Sequence, residues 1–299
     1  MAAGAPAVHL IDASYFVFRA YYSVGLEMTD GDGQPVNALY GFSRFLGDLL
    51  EEARPEHVAV AFDESLTTSF RNEIYPAYKK NREPAPPELK RQFVLCRELC
   101  RLLGVADFGS PTHEADDIIG TIAARLRAAG HRAVVVTRDK DLAQLIRDGD
   151  HFWDYAGERR FAYCDIEGQF GVRPERIADF LALTGDTVDN IPGVPGIGRK
   201  TAAALLTAFA SLEEIYAGLE RVGSLNIRGA ARLAAKLAEH REAAYLARQL
   251  TLIACDMPID VTLDSLRRRK PDLGALGSFY DRHRFGPALR RQAERLAQH

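Results

Sequence analysis

The chain has 299 residues and a formal net charge of −3, with 47% hydrophobic and 26% charged residues. That length buries one large core or two smaller ones, and the composition is that of a globular protein, not a disordered or fibrous one. No apolar run reaches membrane-spanning length, and no basic stretch near the N-terminus leads into a signal-peptide core, so a cytoplasmic protein is expected.

The four cysteines, Cys96, Cys100, Cys164 and Cys255, form no Cys-x-x-Cys pair, which argues against a zinc ribbon or a redox dithiol. Cys96 and Cys100 share a helical face and read as core. The net charge, taken alone, argues against a nucleic-acid partner, but it averages over separate acidic and basic clusters.

Three apolar runs end in acid. Val8–Ile11 runs into Asp12, Val58–Phe62 into Asp63, and Ala133–Thr137 into Arg138-Asp139-Lys140-Asp141. Short β-rich runs without polar alternation predict buried parallel strands. Helical spacing of Leu39, Phe42, Phe45, Leu46 and Leu49 predicts a helix over 37–53, and that of Leu89, Phe93, Cys96, Leu99 and Leu103 another over 88–103. Strand–helix alternation implies an α/β fold with a parallel sheet, in which ligands bind beyond the carboxyl ends of the strands. Residues 83–87 predict an irregular exposed loop. Beyond about residue 170 the strand signal fades into helix rich in Ala, Leu and Arg, with a basic segment Arg267-Arg-Arg-Lys270. A division at 1–170 and 171–299 follows, with the two parts packed as one unit.

Two further acidic groups stand out, Glu114-Ala-Asp116-Asp117 and Asp186-Thr-Val-Asp189. Ser110-Pro111 predicts the start of a helix carrying Glu114, Asp116 and Asp117 in its first turns. Any one of these acids has an ordinary explanation as a helix-start or turn residue. As a set they converge on one sheet edge, where like charges about 5 Å apart cost roughly 3 kcal/mol per pair at an effective dielectric near 20. Such a cluster calls for cations or for protonation of some members. All-oxygen ligation suits Mg²⁺ or Mn²⁺, and His113 is left unassigned. Acid density alone leaves a two-metal phosphodiesterase, a structural cation site and a metal-dependent phosphatase open.

The segment from Phe70 to Arg82 interleaves aromatics with bases, including Arg71, Tyr75, Tyr78, Lys79, Lys80 and Arg82. It reads either as a solvated basic face or as a clamp for single-stranded nucleic acid. Ile191-Pro-Gly193-Val-Pro-Gly196-Ile-Gly198-Arg-Lys200-Thr201 joins two helical stretches. It is either a plain helical connection or a phosphate-holding turn at a helix N-terminus. Its fuller pattern looks like a helix–hairpin–helix motif.

Together with Tyr40-Gly-Phe42, Ser69-Phe70-Arg71, Leu183-Thr-Gly-Asp186 and Asp189-Asn190, these motifs resemble the 5′-nuclease (flap endonuclease) superfamily over about Val8 to Phe285. The likeness is to the nuclease domain of bacterial DNA polymerase I, and a free-standing relative of that domain is expected. The resemblance implies a PIN-like parallel-sheet nuclease core with a helical arch at about 79–105, and a helical C-terminal region with the hairpin. It implies two divalent ions, Mg²⁺ or Mn²⁺, the first held by Asp12, Asp63, Glu114, Asp116 and Asp117. The second would be held by Asp139, Asp141, Asp186 and Asp189.

The resemblance also implies that Lys79 and Arg82 engage the scissile phosphate, that Tyr78 stacks on a base, and that Arg71, Gly193, Gly196, Gly198, Lys200 and Thr201 contact DNA. Potassium would sit on the carbonyls of Ile191, Val194 and Ile197. The implied activity is structure-selective 5′-3′ exonuclease and flap-endonuclease cleavage leaving 5′-phosphate and 3′-hydroxyl ends. The implied substrates are DNA with 5′ ends or flaps and RNA–DNA hybrids. A nucleoid-associated monomer linked functionally to a separate polymerase would fit. A non-catalytic branched-DNA binder and a PIN-class ribonuclease remain alternatives.

Overall fold

The computed structural model describes residues 6–25, 27–64, 67–227 and 229–298. Residues 1–5, part of the stretch that carries no signal-peptide pattern, lie outside them. The chain runs β1 (Ala7–Asp12), α1 (Ala13–Ser23), α2 (Asn37–Ala53), β2 (His57–Asp63), α3 (Phe70–Ile74), α4 (Pro87–Leu102), β3 (Ala106–Ser110), α5 (Ala115–Ala128) and β4 (Arg132–Val136). It continues with β5 (His151–Asp154), β6 (Arg159–Ala162), α6 (Tyr163–Phe170), α7 (Ile177–Thr184), α8 (Arg199–Ala208) and α9 (Leu212–Ala217). The last helices are α10 (Leu219–Val222), α11 (Ala230–Glu239), α12 (Arg241–Thr251), α13 (Leu273–Arg282) and α14 (Pro287–Ala297).

The sheet has the order β3-β2-β1-β4-β5-β6, with every pair parallel except β5–β6. The three strands read from sequence are its centre. Their side chains alternate between two apolar clusters. Val8, Leu10, Ala59, Ala61, Ala133 and Val135 enter one, while Ile11, Val58, Val60, Phe62, Val134 and Val136 enter the other. Both faces are therefore buried, which explains why the runs carry no polar alternation. The sequence reading missed β3, β5 and β6. They are short, and β3 is only half-buried.

Two expectations change. Helix α5 starts at Ala115, with Glu114 as its cap residue and the Glu114 N–H donating to Asp117 Oδ2 at 3.0 Å. Ser110 instead ends β3, and its hydroxyl accepts from the Thr112 and His113 N–H groups. The region 171–299 is not one unit, because α13 and α14 return to the first half and bury Leu276, Phe279, Leu289 and Ala293 in the cluster formed with α2 and α4. Within the stretch expected as an arch, about 79–105, α4 packs one face onto the core. Leu89, Cys96, Leu99 and Cys100 are fully buried, and Gln92 bridges to α2 by accepting from the Leu39 N–H at 3.1 Å. The apolar stripe along α4 is what pulls it down onto the core.

Candidate active site

The strand ends deliver the acids. Asp12 follows β1 directly into α1. One of its oxygens accepts from the Tyr15 N–H, and the other from Thr137 Oγ1 at 2.9 Å. Thr137, at the end of β4, accepts in turn from the Asp139 N–H at 2.9 Å, and Asp139 accepts from the Asp141 N–H. This threonine links the acids of two strands. Its position two residues before Asp139 was a readable turn signal. Asp63 closes β2 and accepts from the Ala115 N–H at 2.8 Å, which pins the start of α5 beside it.

The acids act on one another. Burial, followed by the charges of Asp63 and Asp139, pushes the Asp12 carboxyl up to about 7. Asp116 is raised well above the usual carboxylate range by burial and by Asp139, Asp12, Asp63 and Glu114. Asp141 is pushed up to about 8, mainly by burial, with Asp139, Asp186 and Asp189 adding like charge, and its Oδ1 is buried without a hydrogen-bond partner. Oxygen donors crowded until they favour protonation, one of them orphaned, suit a hard divalent cation. Among the described residues no three acid, histidine or cysteine side chains already close around one point as a ready cage.

The cations hold the other acids. Lys79 Nζ lies 2.6 Å from Glu114 Oε1 and 3.8 Å from Asp189 Oδ2, and Arg82 pairs with Asp189. Burial opposes the Lys79 charge, but Glu114, Asp189 and Asp63 outweigh it and hold the ammonium firmly protonated. Asp186 and Asp189 sit in a turn after α7, where Asp186 Oδ1 accepts from the Val188 N–H.

Three side chains are not where the sequence reading put them. Asp117 is fully buried, and its two oxygens accept from both Arg71 Nη atoms, at 2.7 and 2.8 Å, and from the Ala254 and Glu114 N–H groups. With those lone pairs used, it braces α5 and does not fit as a metal ligand. Arg71, read as a DNA contact, is 2% exposed and also donates to the Leu250 and Leu252 carbonyls. Tyr78, read as a base-stacking platform, is 4% exposed in the core, and its hydroxyl donates to Glu114 at 2.9 Å.

The glycine segment does form a helix–turn–helix between α7 and α8. A β-carbon at Gly193 would collide with the backbone of Thr184 and Gly185, and Gly196 has φ 81°. Gly198 has open space where its side chain would be and caps α8. Lys200 is exposed and Thr201 half-buried beyond it. Ile191 O accepts from the Asp186 N–H, and Val194 O from the Ile197 N–H.

Residues 7–171 match the family described as 5′-3′ exonuclease, N-terminal resolvase-like domain, and residues 172–274 that described as 5′-3′ exonuclease, C-terminal SAM fold. The 5′-3′ exonuclease of Buchnera aphidicola subsp. Acyrthosiphon pisum is 34% identical over 88% of this chain and 92% of its own length. The thermostable DNA polymerase I of Thermus filiformis is 38% identical over 94% of this chain but 32% of the polymerase. The chain thus spans about a third of the length of the polymerases it matches. T5 5′-exonuclease, solved with bound zinc, has a TM-score of 0.65 at 19% identity and 98% coverage of both chains. The catalytic core of Rad2 in complex with DNA substrate has 0.62 at 17%, covering 99% of this chain and 92% of its own. Those two likenesses speak for the fold, whereas the sequence matches across nearly the whole chain carry kinship: the protein belongs to the 5′-3′ exonuclease family.

Proposed function

We propose that the chain is a divalent-metal-dependent 5′-3′ exonuclease and flap endonuclease that hydrolyses DNA phosphodiesters to 5′-phosphate and 3′-hydroxyl ends. The observation that carries this is the convergence of Asp12, Asp63, Asp116, Asp139 and Asp141 at one edge of the sheet, where the Asp12, Asp116 and Asp141 carboxyls are raised by burial and by like charge nearby. In this reading Asp12, Asp63, Glu114 and Asp116 hold one Mg²⁺ or Mn²⁺, and Asp139, Asp141, Asp186 and Asp189 hold the other. Such ions, when bound, supply activation of a water and neutralisation of charge on the phosphate oxygens.

The chain's own residues do the rest. Lys79 and Arg82 exchange their present carboxylates, Glu114 and Asp189, for oxygens of the scissile phosphate. Thr137 keeps Asp12 and Asp139 in register. Arg71 and Asp117 fix the start of α5 and with it Asp116. Gly193, Gly196 and Gly198, with Lys200 and Thr201, hold the duplex backbone at the N-terminus of α8 without reading sequence. Potassium on the Ile191, Val194 and Ile197 carbonyls belongs to the same reading. The substrates are DNA with 5′ ends or flaps and RNA–DNA hybrids, met on the nucleoid by a monomer working beside a polymerase. Among the described residues no helix is long and apolar enough to cross a membrane.

The test is Asp63→Ala and Asp116→Ala, each assayed for cleavage of a 5′-flap duplex and for binding to it. Loss of cleavage with binding retained is expected. Full activity in either variant overturns the ligand assignment.

A further inference from the structure

A set of contacts separate from the carboxylates ties the turn bearing Lys79 to the loop that leads into the glycine hairpin. Asn190 Nδ2 donates to the Ala77 carbonyl at 2.6 Å, and Asn81 Nδ2 donates to the Thr187 carbonyl at 2.9 Å. Between these two struts the Lys79 N–H donates to the Asp189 carbonyl at 2.9 Å. Lys79 and Asn190 both hold left-handed backbone, with φ 54° and 57°. Asparagine tolerates that region, but lysine there is strained, and such a conformation persists only where its surroundings over-determine it. The struts do that over-determining.

The loop itself is stiff. Asp186 and Ile191 exchange backbone hydrogen bonds at 3.0 and 2.7 Å, and the Val194 N–H donates to the Leu183 carbonyl at 2.9 Å. The close packing of Gly193 on Thr184 and Gly185, these loop hydrogen bonds and the Lys79 N–H bond to Asp189 therefore link the hairpin to the backbone of Lys79.

We infer that Asn190 and Asn81 are positioning residues that couple the glycine hairpin to Lys79 and Arg82, so that a duplex seated on the hairpin sets the backbone from which those two cations are aimed. The inference rests on the proposed function. Both carboxamides bind neutral main-chain carbonyls, so they fix geometry and add no charge for the substrate to feel. Their loss is expected in kcat and not in KM, since a misplacement near 1 Å is enough to cost a large rate factor.

Asn190→Gly is the informative substitution, because glycine keeps the left-handed backbone accessible while deleting the amide. Asn81→Ala removes the other strut from an exposed position and leaves α7 and α8 intact. Each is compared with the unmodified protein on a 5′-flap duplex and on a single-stranded oligonucleotide of the flap sequence, with kcat, KM and thermal midpoint recorded. Expected is a loss of roughly 10- to 100-fold in kcat on the duplex substrate, with KM unchanged and the advantage of duplex over single strand largely gone. An advantage preserved in both folded variants, a parallel loss on both substrates, or no duplex advantage in the unmodified protein overturns the coupling. Absence of cleavage of either substrate by the unmodified protein in Mg²⁺ or Mn²⁺ overturns the nuclease reading itself. It is thereby distinct from a failure of the coupling alone.

Discussion

Replacing Arg71 with leucine separates its two assignments, a DNA contact or an internal brace. In the structure the guanidinium spans Asp117 with a two-pronged pair and reaches the Leu250 and Leu252 carbonyls near the end of α12, so it joins α3, α5 and the C-terminal half at one buried point. Burial disfavours its charge, but Asp117 and Glu114 more than compensate and hold it protonated. Leucine would leave the fully buried Asp117 carboxylate with only the Ala254 and Glu114 N–H groups as donors. Removing one member of a buried pair costs about 3–5 kcal/mol. At about 2 °C per kcal/mol for a chain of this size, the midpoint falls by roughly 6–10 °C. Arg71→Lys keeps charge but not the fork, and falls in between. Arg71→Leu with Asp117→Leu removes the stranded charge and recovers most of the loss. The assay is thermal unfolding by circular dichroism, alongside flap-DNA affinity. Unchanged stability in Arg71→Leu with weakened DNA binding would refute the brace and restore the surface contact.

Other expectations follow from the same geometry. Burial, and then Arg160, lowers the His9 imidazole to about 4, so folded His9 stays neutral where the unfolded chain takes up a proton. Its contribution, about 3 kcal/mol, is full above pH 6.5 and is lost as pH falls toward 4; His9→Phe flattens the midpoint over that window, and an unchanged slope would contradict the assignment. Asp12 and Asp141 run the other way, raised to about 7 and about 8, so metal-free protein loses stability as pH rises through those values. The rise in midpoint on adding Mg²⁺ is therefore larger at pH 8 than at pH 5.5, and Asp141→Asn shrinks the difference; equal shifts at both pH values would count against a metal at these acids. Lys79→Ala lowers the single-turnover cleavage rate by on the order of 10²–10³, with a smaller change in affinity; an unchanged rate removes Lys79 from the chemistry.

The centre of the fold was legible because β1, β2 and β4 are buried on both faces, and full burial leaves an unbroken apolar run. The same runs ended in acids, so the parallel-sheet rule converted three sequence positions into one edge. Strands β3, β5 and β6 escaped because lengths of four or five residues give no period to count, and β3 and β6 are in addition only partly buried. The misplacements of Arg71 and Tyr78 share one cause. Their partners lie far along the chain, at Asp117, Leu250, Glu114 and Asp189, and composition within 70–82 carries no trace of them. The return of α13 and α14 was hidden for the same reason, since an amphipathic helix announces an apolar face but not the surface it covers. Asn190 stood in a quoted motif and Asn81 in none, but the struts of both were invisible, because asparagine in a turn is ordinary until its amide is seen on a carbonyl more than a hundred residues away.

The most direct test of the nuclease reading is incubation of the purified protein with a 5′-labelled flap duplex in Mg²⁺ and, separately, in EDTA. The account requires release of short 5′ fragments in Mg²⁺ and none in EDTA, with fragment length separating exonucleolytic from flap cutting. Tight binding without cleavage in either Mg²⁺ or Mn²⁺ would contradict it and make the chain a structural DNA-binding relative.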